Sequence, residues 1–499
     1  MPVKPPVEES VQSLKQENYR LQLRVKDLEQ RLYGSKADRR SDKDPRQTVF
    51  AGIEEKAGSQ EASSATQSGR RKATRASKPR GPKPLDPKLP RVHEQVPDPS
   101  LSELLCPVTG QLMRPGMVQR VEVLARKPAE YYVRVLTRNV FVSEADSAPV
   151  YSPWPNGVMP RSRVDASLIA SVLTQRFADH QPYYRQCEQL KRLGLELTPN
   201  TLMSIARVAT DHLEPLYESL RKEVLGSGYV QLDHTPLKLL DRKRPGAARE
   251  CGAWTYRSLD GPMFFEFTLN KTGDKPRETL ADYQGVLQTD GANNFGGTTQ
   301  KEGVKHLGCF AHARRYFVEA QKHDEAACAY YLDAMDRLFR AEKLARHFQL
   351  CSRKHRQLRQ HRMLAEFEKL MEHARKHREE LQLNKLPIAK AVNYLLNQSG
   401  PLRACIEEVP SRIDNNLVEN AIRPLKLGAK NWLFIGHEKA GPRNAILFTL
   451  VQNCRLAGVN PEAWLIDVLK RIDDHPQKRI TELLPHNWQP LSKNNTTGG

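Results

Sequence analysis

Three acidic residues stand where hard-metal chemistry would need them. Asp233 closes the apolar run Gly-Tyr-Val-Gln-Leu, and Asp290 closes Val-Leu-Gln-Thr just before Gly291. Glu419 sits one turn into a helix that opens at Asp414-Asn-Asn-Leu-Val, with Asp414 or Asn415 as its cap. Carboxylates at neighbouring strand ends supply oxygen ligands for Mg²⁺ or Mn²⁺, ions that keep positions open for phosphate. Two such ions about 4 Å apart activate an attacking oxygen and stabilise a leaving one. Holding them from more than one direction requires a third acid, and Glu419 is the candidate. Arg423, Lys426, Lys430 and Arg443 follow it, and these cations are expected to hold phosphates. Taken singly, an Asp-Gly is a turn and a Glu in a first helical turn is a cap. Three acids in this order, each on such an element, point instead to a catalytic set.

The elements that must carry them alternate in period. Strands are predicted at Gly228–Asp233, Ala253–Arg257, Met263–Leu269, Val286–Asp290 and Lys305–Cys309, with Gly261-Pro262 as a turn and a short helix at Arg277–Tyr283. Three strands, a helix, a fourth strand, a helix and a fifth strand is the order of an RNase H-like sheet. The fold class is therefore α/β, a mixed-sheet core. His306 and Cys309, three apart on one strand, face opposite ways and share no ion. Cys309 is expected in the strand core, and His312, Arg314 and Arg315 are expected to face DNA. His234 reads as a surface-turn residue. Trp432-Leu-Phe434 reads as an apolar core strand.

Ahead of this core the chain changes character several times. Val11, Leu14, Asn18, Leu21, Val25, Leu28 and Leu32 form an a/d seam, a coiled coil over 8–33 that favours parallel self-association, with Asn18 fixing register. Residues 34–100 form a linker rich in Ser, Lys, Arg and Pro, and its run Arg70, Arg71, Lys72, Arg75, Lys78, Arg80 is suited to lie along phosphates. A module over 101–160 begins at Cys106-Pro-Val-Thr-Gly110, half of a zinc knuckle whose second thiolate is replaced by Thr109. Zinc is not expected there, because one thiolate cannot make a tetrahedral site. Met117–Leu124 and Tyr131–Phe141 read as its strands. Over 161–225, a helix from Asp165, a second over Tyr184–Leu193 ending at Gly194, and a third capped by Thr198-Pro199 outline a helix-turn-helix. The catalytic region spans 226–475, and 476–499 is a tail.

Composition narrows the partners. The 499 residues include 78 Lys and Arg against 58 Asp and Glu, a formal charge of +20. Such an excess favours a polyanion through counterion release. No apolar run reaches the roughly 18–20 residues that span a bilayer. The eight cysteines are scattered without a CxxC pair, as in a reducing cytosol. A cytoplasmic, nucleoid-associated protein that binds double-stranded DNA is expected.

The motifs resemble those of the IS66 family of insertion-sequence transposases. The likeness runs from the coiled coil to near residue 475. It is strongest in YVQLDHTPLKLLD (229–241), LQTDGANNF (287–295), HLGCFAHARRYF (306–317) and IDNNLVENAIRPLKLGAKNWLFIGHEKAG (413–441), and continues through LVQNCRLAGVNPEAWLIDVL (450–469). This resemblance implies an RNase H-like DDE core with Asp233, Asp290 and Glu419 as triad and two Mg²⁺ or Mn²⁺ ions. It also implies a leucine zipper, a zinc-finger segment, a helix-turn-helix and a helical insertion, here about 318–400 of the 129 residues that separate the second and third acids. Accessory proteins of the same element are usual in the family. His234, Ala292 and Asn420 stand where the family usually has an acid, an aromatic and an arginine. Two alternatives stay open: a nuclease that cuts without joining, and a catalytically impaired DNA-binding descendant.

Overall fold

The computed structural model describes Tyr131, Val140–Phe141, Val150–Tyr151 and residues 164–490 other than 242–243, 245–246, 292–294 and 382–385. The coiled coil, the basic linker with Arg70, Arg71, Lys72, Lys78 and Arg80, and most of the 101–160 module lie outside the described residues. The chain divides into two units, 38–153 and the remainder. In the first, Val140–Phe141 pairs antiparallel with Val150–Tyr151.

In the second unit, three helices lead into the sheet. α1 (Ala166–Phe177) is capped by the Asp165 carboxylate, which accepts from Ser167 N at 2.9 Å. α2 (Tyr183–Arg192) ends before Gly194, whose φ of +81° suits glycine. α3 (Pro199–Leu225) starts as expected at the Thr198 cap with Pro199 in its first turn. It extends well past Val208, because Leu213, Leu216, Leu220 and Val224 continue its buried stripe.

Five strands follow: β1 (Tyr229–Leu240), β2 (Ala248–Ser258), β3 (Met263–Thr268), β4 (Gly285–Gln288) and β5 (Val304–Leu307). Their order across the sheet is β3-β2-β1-β4-β5. β1, β2 and β3 pair antiparallel, while β1, β4 and β5 run parallel. α4 (Asp274–Thr279) and α5 (Gly296–Thr299) flank β4. β1 differs from the short strand expected. It continues seven residues beyond Asp233, because Thr235, Leu237 and Leu239 stay buried in alternation with exposed Pro236 and Lys238. β5 is shorter than expected: Cys309 has left the strand and opens the helix that follows.

Six helices come next: α6 (Phe310–Gln321), α7 (Glu325–His347), α8 (Ser352–Leu358), α9 (Leu364–Glu380), α10 (Pro387–Asn397) and α11 (Ser399–Glu407). All but α8 share one apolar core, including Phe317, Tyr331, Leu338, Phe367 and Leu395, which reaches the sheet at Leu307 and Tyr229. α12 (Asn416–Trp432) then lies on β1 and β2, and α13 (Ala440–Leu456) on β3. Thr449 Oγ1 accepts from Phe265 N at 2.9 Å, and Asn453 both accepts from Met263 N at 3.1 Å and donates to Met263 O at 2.7 Å. Spaced four apart on α13, they satisfy the free edge of β3. α14 (Pro461–Arg471) packs on α1. Packed structure continues past residue 475, where Leu483 and Leu484 are buried and Trp464 Nε1 donates to Leu483 O at 2.9 Å.

Candidate active site

The sheet brings the first two acids side by side. Gln231 of β1 is in register with Gln288 of β4. Asp233 and Asp290 each lie two residues further on, where the parallel ladder has ended and the strands part. Asp233 is thus not at the end of its own strand, but at the end of its pairing with β4. Its carboxyl is pushed up to about 7, first by burial and then by the charge of Asp290, with Glu419 adding to it. Those causes are the electrostatic signature of converging carboxylates.

Glu419 arrives from the other side on the first turn of α12. Its Oε2 is 3.5 Å from Arg315 Nη2, and its buried Oε1 has no hydrogen-bond partner among the described residues. His312, on the first turn of α6, stands between two of the acids: Nε2 is 4.0 Å from Asp290 Oδ2, and Nδ1 is 3.6 Å from Glu419 Oε1. Burial lowers its pKa more than the two carboxylates raise it, so the ring is held neutral. His312 is therefore placed between the candidate acids, only 15% exposed in its side chain, and not on an open surface beside them. Among the described residues, no group of three or more His, Cys, Asp and Glu side chains has the arrangement that holds an ion. The acids converge without closing.

Two glutamines, unmarked in the sequence reading, explain the convergence. Gln231 Nε2 donates to Gln288 Oε1 at 2.8 Å and to Asp414 O at 2.9 Å, while its Oε1 accepts from Val418 N at 3.1 Å. Gln288 Nε2 donates to Gly308 O at 2.8 Å and Arg412 O at 2.9 Å. Both are wholly buried. They tie β1 and β4 to the backbone that leads into α12, so each aspartate is placed against Glu419 by the glutamine two residues before it. Glutamine two before an aspartate, twice, was the available signal: side chains two apart on a strand share a face. Asp414 completes the start of the helix, accepting from Asn416 N at 3.1 Å. Tyr394 OH donates to Asp290 O, and the Gln398 side chain would lie 2.6 Å from a Cβ at Gly291, whose φ is +79°. Only glycine fits there.

The other expected residues divide. Arg423, Lys426 and Lys430 are exposed on α12 at spacings that align them with Glu419, and Lys426 lowers the Asp233 pKa. Arg315 is exposed beside Glu419. Arg314 is not: its side chain is 12% exposed and its Nε donates to Asp336 at 3.0 Å, inside the helical block. His234 lies in β1, not in a surface turn. Its ring packs on Trp254 with centroids 4.7 Å apart, and burial lowers its pKa to about 4. It points to the sheet face opposite Asp233. His306 pairs with Thr289 Oγ1 at 2.9 Å. Cys309 Sγ accepts from Asn415 N at 3.2 Å and lies 3.3 Å from His312 Nδ1. Trp432 is buried at the end of α12, but Leu433 and Phe434 are exposed. The helix ends there at a φ of +62° for Leu433, which turns both away from the core.

A mixed sheet carrying two adjoining aspartates, faced by a glutamate on a pinned helix, defines a class of acid-centred α/β proteins. The model of the IS66 transposase family matches residues 161–443, and that of the IS66 C-terminal element matches 449–486. The chain belongs to the IS66 family of transposases. It is similar to three proteins of Sinorhizobium fredii that carry no functional name. It is 27% identical to y4hP over 95% of this chain and 89% of that one. It is 28% identical to y4jD over 80% and 81%, and 27% identical to y4qI over 84% and 79%. No helix among the described residues is long and apolar enough to cross a membrane.

Proposed function

We propose that this transposase cuts DNA at the ends of its insertion sequence and joins them to target DNA, using Asp233, Asp290 and Glu419 as a DDE triad in an RNase H-like core. The observation that carries this reading is the placement of Asp233 and Asp290 each two residues past the paired Gln231 and Gln288, with the start of the Glu419 helix tied to β1 by Gln231. The β3-β2-β1-β4-β5 order supports the RNase H-like assignment. The donor set suits Mg²⁺ or Mn²⁺: three hard carboxylates, of which Asp233 is raised by burial and by the charge of Asp290, and one buried carboxylate oxygen without a donor. When bound, two such ions would activate the attacking oxygen and stabilise the leaving one. His312 holds Asp290 and Glu419 apart and must yield for the acids to close. Arg315, Arg423, Lys426 and Lys430 line the approach and neutralise phosphate. Helices α1 to α3 and the basic linker hold the element ends, the N-terminal coiled coil pairs two copies, and accessory proteins of the element assist.

Pre-cleaved element ends mixed with a target plasmid and Mg²⁺ test the reading. Joined product is expected, and it disappears in Asp233→Asn, Asp290→Asn and Glu419→Gln. Cleavage without joining would make this a nuclease. The open spacing of the acids favours one second reading, a DNA-binding descendant without catalysis. Calorimetry with Mn²⁺ separates the two, because only the catalytic form takes up the ion at these carboxylates.

A further inference from the structure

Arg359 is fully buried on the helical block, at the start of a π-helical turn spanning Arg359–Met363. Its guanidinium donates to Glu342 through Nε at 3.0 Å and Nη2 at 2.8 Å. The other contacts continue past the ion pair, first to the end of α11 and then to the loop beyond it. Nη1 reaches Cys405 O at 3.0 Å, Glu408 O at 2.7 Å and Ser411 Oγ at 2.8 Å, and Nη2 reaches Ser411 O at 2.8 Å. Burial pushes the Glu342 carboxyl upward, but hydrogen bonds from Arg359 and His355 hold it below its usual range. It is therefore a fixed anion that orients the fork.

By itself a buried ion pair is weak evidence for stability, because desolvation offsets the attraction. Here three of the fork's contacts also grip a loop, at Glu408 and Ser411, and that loop runs directly into the segment carrying Glu419. The same segment is held from the opposite side by the sheet, through Gln288 to Arg412 O and Gln231 to Asp414 O and Val418 N. We propose that Arg359, oriented by Glu342, is a positioning residue: it sets the placement of the Glu408–Ser411 loop and thereby of Glu419 against Asp233 and Asp290. The helical block is then part of the catalytic frame. This rests on the triad reading above.

The test uses the full chain as an Arg359→Met/Glu342→Gln double variant, which leaves no unpaired buried charge. Hydrogen exchange of the metal-free protein is expected to speed up at least about tenfold over 408–420, with 229–240 and 248–258 unchanged. The kcat for end cleavage is expected to fall about 10- to 100-fold, as for other residues that orient metal ligands, with KM for DNA within about twofold. Arg359→Lys, which keeps the charge and loses the fork, should not rescue it. Unchanged exchange over 408–420 overturns the proposal, as does protection lost evenly across α6 to α11. Glu419→Gln in the same assay tells the two readings apart. If that variant cleaves normally, the triad reading fails, while the exchange data still judge the clamp.

Discussion

Asp233 is the residue on which the proposed function and stability pull in opposite directions. Its carboxyl titrates near 7 rather than 3.8, because burial and Asp290 disfavour the charged form. The folded state therefore binds a proton that the unfolded state has released between those two values. That stability is fully present below about pH 4 and is lost as pH rises through about 7. Metal-free protein should show a melting temperature that declines across this window and then levels. Asp233→Asn should melt a few degrees higher than the parent at pH 8 while giving no joined product. A lower melting temperature for that variant would mean that the carboxylate is compensated by something other than protonation. His312→Ala should relieve burial of a neutral ring between two acids and change Mn²⁺ affinity measurably, whereas a DNA-facing histidine would leave it unaltered.

At the scale of elements, the glutamine pair and the β3 edge make opposite predictions. Gln231→Leu strands Val418 N and Asp414 O in the interior, which costs about 1–3 kcal/mol. It should also lower Mn²⁺ affinity, because the start of α12 loses its tie to β1. Thr449→Val strands Phe265 N at a similar cost, yet it should leave Mn²⁺ affinity intact. Chemical denaturation alongside calorimetry reads both quantities. Equal effects on metal affinity would show that the Gln231 contacts serve the fold alone.

For the whole molecule, the excess of cations sets how DNA is met. Arg423, Lys426 and Lys430 extend from Glu419 along one face of α12. Replacing Lys426 or Lys430 with Ala should weaken binding evenly across DNA sequences. Each should reduce the slope of log affinity against log salt by about 1. An unchanged slope would take that residue off the DNA path.

Much of this was legible in the chain. The five strands were placed by apolar runs broken at Gly and Pro, and α1 and α3 by Asp165 and Thr198-Pro199, because capping and alternation act within a few residues. The placement of Asp233 and Asp290 where two strands stop pairing was partly legible for the same reason. What local pattern could not supply was every relation across the sheet. The strand ending assigned at Asp233 was really the end of one pairing, since β1 continues along β2 while β4 turns away. Cys309, His312 and Arg314 lie within six residues of one another, yet one accepts from Asn415 N, one lies between Asp290 and Glu419 and one pairs with Asp336. Helical phase and the packing of α7 against α6 decide that. Glu419 shows both halves of the lesson. Its first-turn position is written in Asp414-Asn-Asn-Leu-Val, but its placement opposite Asp233 depends on contacts more than 180 residues apart in sequence, where no short-range signal reaches.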